Sequence, residues 1–199
     1  SVITMAGYHV SGNDRKAWVE VEGGCEIASG GMSDHDGIDA QSSPVSNITN
    51  VPAELIEADY PIIIEEYALI PDSEGAGKFR GGVGLVRQYR YLADDTLVQL
   101  RADRMVHPPY GLFGGEPGRP TRVSLAEHGK GEDRAMPSKF MVTANTGDVL
   151  RLEMPGGGGW GDPLDRDPSR VLADVIAEKV SQRRAEDVLL LVRGAFLRG

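Results

Sequence analysis

Short apolar stretches alternate with polar positions along most of this chain and are broken every eight to twelve residues or so by glycine and proline, a rhythm of strands and turns. It predicts strands at Val2 to Val10, Ala17 to Val21, Ile62 to Leu69, Gly84 to Leu92, Thr96 to Leu100, Arg122 to Leu125, Phe140 to Thr143 and Val149 to Glu153. In LVRQYRYL, Leu85, Arg87, Tyr89 and Tyr91 alternate with Val86, Gln88, Arg90 and Leu92, giving the strand two unlike faces. Two segments break the rhythm. PAELIEAD reads as a short helix with Pro52 at its first position and Glu54 and Glu57 near its positive end. In SRVLADVIAEKV, Val171, Leu172, Val175, Ile176 and Val180 form one stripe behind an Asp167 cap and Pro168. Ser181 can cap a further short helix, and LLLVRGAFLRG is open between strand, helix and tail. The fold class is therefore α+β, predominantly β, with a C-terminal amphipathic helix.

Composition narrows the picture. The 199 residues suffice for one sizeable core, and 26 glycines with 12 prolines favour turn-rich β structure. A net charge of -9 argues against nucleic acid or an anionic membrane as partner. The lone Cys25 cannot close an internal disulfide, and no apolar run approaches the ~20 residues of a membrane span. A soluble, cytoplasmic protein is expected. The opening SVITMAGYHV has neither an initiator Met nor a signal peptide and reads as the continuation of a longer polypeptide.

GAGKFRGGVG sets a lysine beside clustered glycines, but it is not a nucleotide loop. A P-loop requires glycine where Asp72 stands and Ser or Thr where Phe79 stands. A dinucleotide fingerprint requires glycine at Arg80 or at Arg87. The glycines are expected to supply positive φ and close packing, with Lys78 and Arg80 available to a neighbouring subunit.

Four blocks in order, SNITNVPAELIEADYP, PDSEGAGKFRGGVGLVRQYRYL, LRADRMVHPPYGLFGG and PGGGGWGDPLDRDPSRVLADV, resemble the C-terminal region of the hydantoinase B/5-oxoprolinase family, over about residues 45 to 181. The resemblance implies a B-type segment of an ATP-dependent hydrolase of cyclic amides, of the N-methylhydantoinase, 5-oxoprolinase and caprolactamase kind. It divides into a lead-in over 1–44, a β-rich core over 45–165 and a helical tail over 166–199. ATP and magnesium are implied to belong to a hydantoinase A-type subunit. A divalent metal is implied to be held largely by the N-terminal part of the B-type subunit, so neither is expected to be bound wholly by this segment. The acetone and acetophenone carboxylases, with a related subunit, supply an alternative reading, and a non-catalytic assembly domain supplies another. Gln41, Ser42 and Ser43 stand where many members carry a histidine-containing stretch.

Candidate chemistry lies in four places. Asp103 and Arg104 in RADRMVHPPYGLFGG are the candidate catalytic residues: Arg104 can clamp a carboxylate or phosphate with Asp103 orienting it, while a structural Asp–Arg pair fastening the loop is the alternative. His107, Tyr110 and Phe113 read as loop packing. Asn47 and Asn50 can present amides to a lactam or hydantoin ring, or cap the PAELIEAD helix. Asp34, His35, Asp36 and Asp39 carry metal-type donors, but a solvated turn capped by Asp side chains is preferred. In GGGGWGD the glycines can bare N–H groups to an anion or permit a tight crossing of chains, with Asp162 fastening the turn.

Overall fold

The computed structural model describes residues 1–11, 14–23, 27–41 and 50–189. Its strands are β1 (Val2–Ser11), β2 (Asp14–Gly23), β3 (Ile62–Leu69), β4 (Leu85–Tyr91), β5 (Thr96–Arg101), β6 (Arg122–Ala126), β7 (Asp133–Ala135), β8 (Lys139–Ala144) and β9 (Val149–Glu153). Helix α1 (Ala53–Asp59) precedes β3, while a 3-10 turn (Pro163–Asp165), α2 (Pro168–Ile176) and α3 (Gln182–Leu189) follow β9. Strands pair antiparallel in two sheets, ordered β2-β1-β5-β8 and β3-β4-β9-β6-β7.

The two sheets share one core, because alternate residues of each strand turn to a common side. Ile3, Met5, Val98 and Leu100 of the first sheet meet Tyr89, Tyr91, Leu125, Leu150 and Leu152 of the second. Gly7 makes room for a large neighbour here. A Cβ on it would stand 3.1 Å from the Trp18 ring, so the indole lies across the strand where a side chain is missing.

Beside the sheets, the glycine-rich segments form a bundle of close-packed chains. Gly156 and Gly159 abut Ser73 and Ala76, Gly157 abuts Ser29, and Gly158 abuts Tyr110. That is a repeat of about three residues per turn, the period of a polyproline II-type chain. The bundle is stitched by backbone bonds: Gly31 N–H to the Gly158 carbonyl and Gly75 N–H to the Gly157 carbonyl at 2.8 Å, and Gly157 N–H to the Gly82 carbonyl and Gly159 N–H to the Glu116 carbonyl at 2.9 Å. The glycines therefore serve close approach. None of those in GAGKFRGGVG has positive φ, contrary to the expectation from sequence, although their close packing is as expected; Gly157 and Gly158 have no positive φ either. With two of the four GGGG N–H groups bonded to carbonyls, the crossing of chains describes this stretch better than an anion cradle.

The two C-terminal helices pack on this bundle, while Ile56 of α1 joins the core of the sheets. Asp167 caps α2 by accepting from Ser169 N–H at 2.8 Å, and Ser181 Oγ accepts from Arg184 N–H at 3.1 Å ahead of α3, as the sequence predicts. The predicted stripe is divided. Val171 and Val180 join Ala185 in a small second core with Val175 against it, while Leu172 and Ile176 face outward. Helix α2 stops at Ile176, and Asp174 is buried beside Val171. At α1, Pro52 is the cap position and Ala53 the first helical residue, and no side chain caps it. The segment from residue 190 lies outside the described residues.

Candidate functional site

The alternation of β2 is inverted relative to a simple strand: Trp18, Glu20 and Glu22 turn inward and Val19 and Val21 outward. Across the sandwich, the buried Arg87 stands on the inward face of β4 with Tyr89 and Tyr91. Arg87 Nη1 donates to Glu22 Oε2, which also accepts from Tyr89 OH at 2.8 Å. Arg87 Nη2 donates to Asn50 Oδ1, and its guanidinium lies 4.2 Å from the Tyr67 ring centroid. Asn50 is thus tied to Arg87 and does not cap α1; Asn47 lies outside the described residues.

Burial opposes the charge on Arg87, but Tyr89 and Glu22 outweigh it and hold its pKa above the ordinary value. Burial, with the carboxylates of Glu22 and Asp148, pushes the Tyr91 phenol up. A hydrogen bond to Glu20 raises Tyr60 in the same way. Glu22 Oε1, Arg87 Nε and Tyr91 OH are buried without a hydrogen-bond partner among the described residues. Such atoms carry a desolvation cost and call for an explanation. They provide one free acceptor, one free N–H donor and one hydroxyl. Sequence reasoning did not single out Glu22 or Arg87; their signal is a charged residue at every inward position after the Trp in WVEVE and an arginine on the tyrosine side of LVRQYRY.

Asp103 and Arg104 sit elsewhere, just beyond the end of β5. Thr121 pins their backbone, its hydroxyl donating to the Asp103 carbonyl at 2.7 Å and its N–H to the Arg104 carbonyl at 3.1 Å. Both side chains are exposed, and among the described residues no ion pair joins them, so the structural Asp–Arg pair is not formed. With Val106, His107 and Ser138 they line a shallow pocket of about 450 Å³. Arg104 has φ 63°, left-handed backbone for a residue with a Cβ, and such strain gathers at functional sites. His107 is exposed too. Tyr110 and Phe113 are 69% and 77% exposed, although Phe113 lies 5.4 Å from the Trp160 ring, so the loop is not packed as expected.

SDHDGID is not the solvated turn expected, because Asp36 and Asp39 are held in ion pairs. Arg166 binds Asp36 through two nitrogens, at 2.6 and 2.9 Å, and Asp174 at 2.7 Å. Arg80 reaches Asp39 and Asp174, both at 2.9 Å, and Lys179 reaches Asp39 at 2.7 Å. Arg80 is consequently internal and unavailable to a neighbouring subunit, whereas Lys78 is exposed. Burial acts to raise the Asp36 and Asp39 carboxyls, but bonds from Arg166 to Asp36 and from Lys179 to Asp39, with Arg80 nearby, leave both below the ordinary value. The side chains of Asp34 and His35 pair with each other at 2.6 Å in solvent. Asp162 does fasten its turn, accepting from Leu164 N–H at 2.9 Å. Among the described residues no three His, Cys, Asp or Glu side chains gather as a metal-ligand set.

A twin-sheet chain with a glycine bundle and this order of motifs defines a known class. The profile of the Hydantoinase B/oxoprolinase family matches residues 1–163, and the chain belongs to that family. Subunit beta of the caprolactamase of Pseudomonas jessenii is 37% identical over 129 residues, 61% of this chain and 22% of the relative. The crystal structure of that ATP-dependent caprolactamase superposes with a TM-score of 0.77 at 27% identity, covering 92% of this chain and 33% of that one. An uncharacterized protein of Methanocaldococcus jannaschii is 40% identical over 136 residues, 68% of this chain and 24% of its own length. A nucleotide-free acetone carboxylase shares the fold, with a TM-score of 0.77 at 20% identity over 94% of this chain and 29% of that one. The chain thus spans about a quarter of the length of these curated relatives.

Proposed function

We propose that this chain is the B-type segment of an ATP-dependent cyclic-amide hydrolase, opening a hydantoin or lactam ring together with a hydantoinase A-type subunit that handles ATP and magnesium. Its likeness to the ATP-dependent caprolactamase over 92% of the chain, joined to family membership, carries this reading. In the implied reaction the partner phosphorylates the cyclic amide and water then opens the ring. A divalent metal is expected for the complete enzyme. Within the segment, Asp103 and Arg104 are the candidate catalytic residues, free in solvent at a strained turn. Asn50, oriented by Arg87, and Asn47 are candidate amide contacts to the ring. A hetero-oligomer in the cytoplasm follows from the same reading. Among the described residues no helix is long and apolar enough to cross a membrane.

The acetone carboxylase fold match favours a second reading, ATP-driven carboxylation of a ketone. Co-expressing the chain with the rest of a B-type subunit and an A-type subunit separates them. ATP turnover stimulated by hydantoin, 5-oxoproline or caprolactam supports the hydrolase; stimulation only by acetone with bicarbonate supports the carboxylase. No turnover with either, in an assembled complex, leaves an assembly domain.

A further inference from the structure

An antiparallel sheet with one solvated side keeps apolar residues toward the core and polar residues toward water. The second sheet obeys this rule. Its outer face carries Arg90 and Gln88 bonded to Glu65, and Arg151 bonded to Glu66, Gln88 and Glu153. The first sheet breaks it. Val19 and Val21 of β2 are 58% and 57% exposed, while Glu20 and Glu22 between and after them are buried. The register places Val21 opposite Thr4 and Val19 opposite Ala6, Ala6 opposite Leu97, and Gln99 opposite Met141, so exposed Val2, Leu97 and Met141 share this outer face.

A one-residue slip of β2 would bury the valines and free the carboxylates. It is opposed by the inward bonds of Glu22 to Arg87 and Tyr89 and of Glu20 to Tyr60. The valines are therefore held outward. Strand β2 is also the edge of its sheet among the described residues, ten residues long with one row of backbone groups unpaired by a neighbouring strand. Exposed edges are ordinarily covered or charged; Asp14, Arg15 and Lys16 charge the first part of β2, while the rest presents Ala17, Val19 and Val21 to solvent.

We propose that the outer face of the first sheet, with the free edge of β2, is the surface on which the remaining portion of a B-type subunit packs. The matched part is 33% of the solved caprolactamase chain and 22% of the curated subunit beta, so most of such a chain lies outside the segment and needs a surface on which to pack. The face also carries exposed Arg101 and Lys139 beside Val2 at one end, and Thr4 and Gln99 between the apolar positions, so the apolar contact is centred on Val19, Val21, Leu97 and Met141. The inference rests on the B-type reading of the chain but not on its catalytic activity.

The test uses as probe the P. jessenii subunit beta lacking its matched segment, with binding to this chain measured by calorimetry and backbone protection by hydrogen exchange. Binding is expected, with slowed exchange in β2. Val19→Thr with Val21→Thr keeps β-branched residues and is expected to weaken binding at least tenfold; Val19→Lys with Val21→Lys is expected to abolish it. Leu172→Thr, on the exposed side of α2, is expected to leave it unchanged. Absence of binding by the unaltered chain, or binding that the threonine pair leaves intact, overturns the proposal. A dimer of this chain alone, lost in the threonine pair, also overturns it by making a second copy the occupant. Binding that is intact in a complex with no turnover sinks the catalytic reading and leaves this surface standing.

Discussion

A Cβ placed on Gly157 would lie 1.9 Å from the carbonyl oxygen of Ser29, well inside any permissible contact. The obstacle is backbone, and it is itself held in the bundle, since the Ser29 carbonyl accepts from Gly82 N–H at 2.9 Å. Gly157→Ala is therefore expected to destabilise by ~3 kcal/mol, at the upper end for overpacking. Gly129, with φ 78° and nothing within 4 Å of a Cβ, offers the contrast. Gly129→Ala should cost only ~1 kcal/mol, for left-handed backbone alone. Denaturant melts of the two variants decide whether crowding or φ governs these glycines, and equal losses would reject crowding.

Asp174 accepts from both Arg80 and Arg166 and fastens α2 to the glycine bundle. Asp174→Asn leaves two buried guanidinium groups short of a carboxylate and should cost about 3 kcal/mol or more, measured by thermal unfolding at pH 7. A loss below about 1 kcal/mol would mean that Asp36 and Asp39 alone satisfy both arginines.

Acid should act through the same network. Asp36 and Asp39 have folded pKa values below the unfolded value of about 3.9, so their contribution is complete above that pH and is lost as pH falls through it toward the folded values. Glu74 runs the other way. Its burial raises the folded pKa despite the bond from Arg184, so protonation favours the fold and this contribution fades as pH rises through the folded value. Melting temperatures between pH 3 and 6 are expected to fall toward acid in the unaltered chain and to fall less steeply in Asp36→Asn. Parallel profiles would exclude Asp36 from the acid response.

Strand positions were largely legible because alternation and turn residues are local signals, as in Ile62–Leu69 and Val149–Glu153. Asp133–Ala135 was not, since DRA has no apolar alternation and is exposed throughout. Period alone does not say which face turns inward. In WVEVE it suggests valines inside, and only the opposing Arg87 and Tyr89 show why the glutamates are there. The role of Arg80 was equally hidden: its partners Asp39 and Asp174 lie 41 and 94 residues away in sequence. The free state of Asp103 and Arg104 depends on the chain turning at Arg104, which no residue type there announces.

Because Asp103 and Arg104 are exposed and unpaired with each other, Asp103→Asn and Arg104→Met should change stability by less than about 0.5 kcal/mol each and additively. Arg104→Gly should stabilise by about 1 kcal/mol, relieving φ 63°. If the pair serves catalysis, each substitution lowers kcat of the reconstituted complex at least 100-fold with the fold intact. Wild-type kcat in both would remove them from the site.

The inter-sheet cluster separates a buried atom with no bond from one whose bond is needed. Tyr91 OH has no hydrogen-bond partner among the described residues, so Tyr91→Phe removes a desolvated hydroxyl and keeps the ring; it should be neutral or slightly stabilising. Arg87→Met instead leaves Glu22 buried with only Tyr89 as donor and frees Asn50, and should cost about 3–5 kcal/mol. The joint variant Arg87→Met with Glu22→Gln should recover part of that loss, because the stranded charge is gone. Chemical denaturation of the four chains measures all three statements. A loss of about 1–2 kcal/mol in Tyr91→Phe would show that the hydroxyl is bonded in solution, to an internal water or to a ligand, and would turn this cluster from a strut between sheets into a binding site.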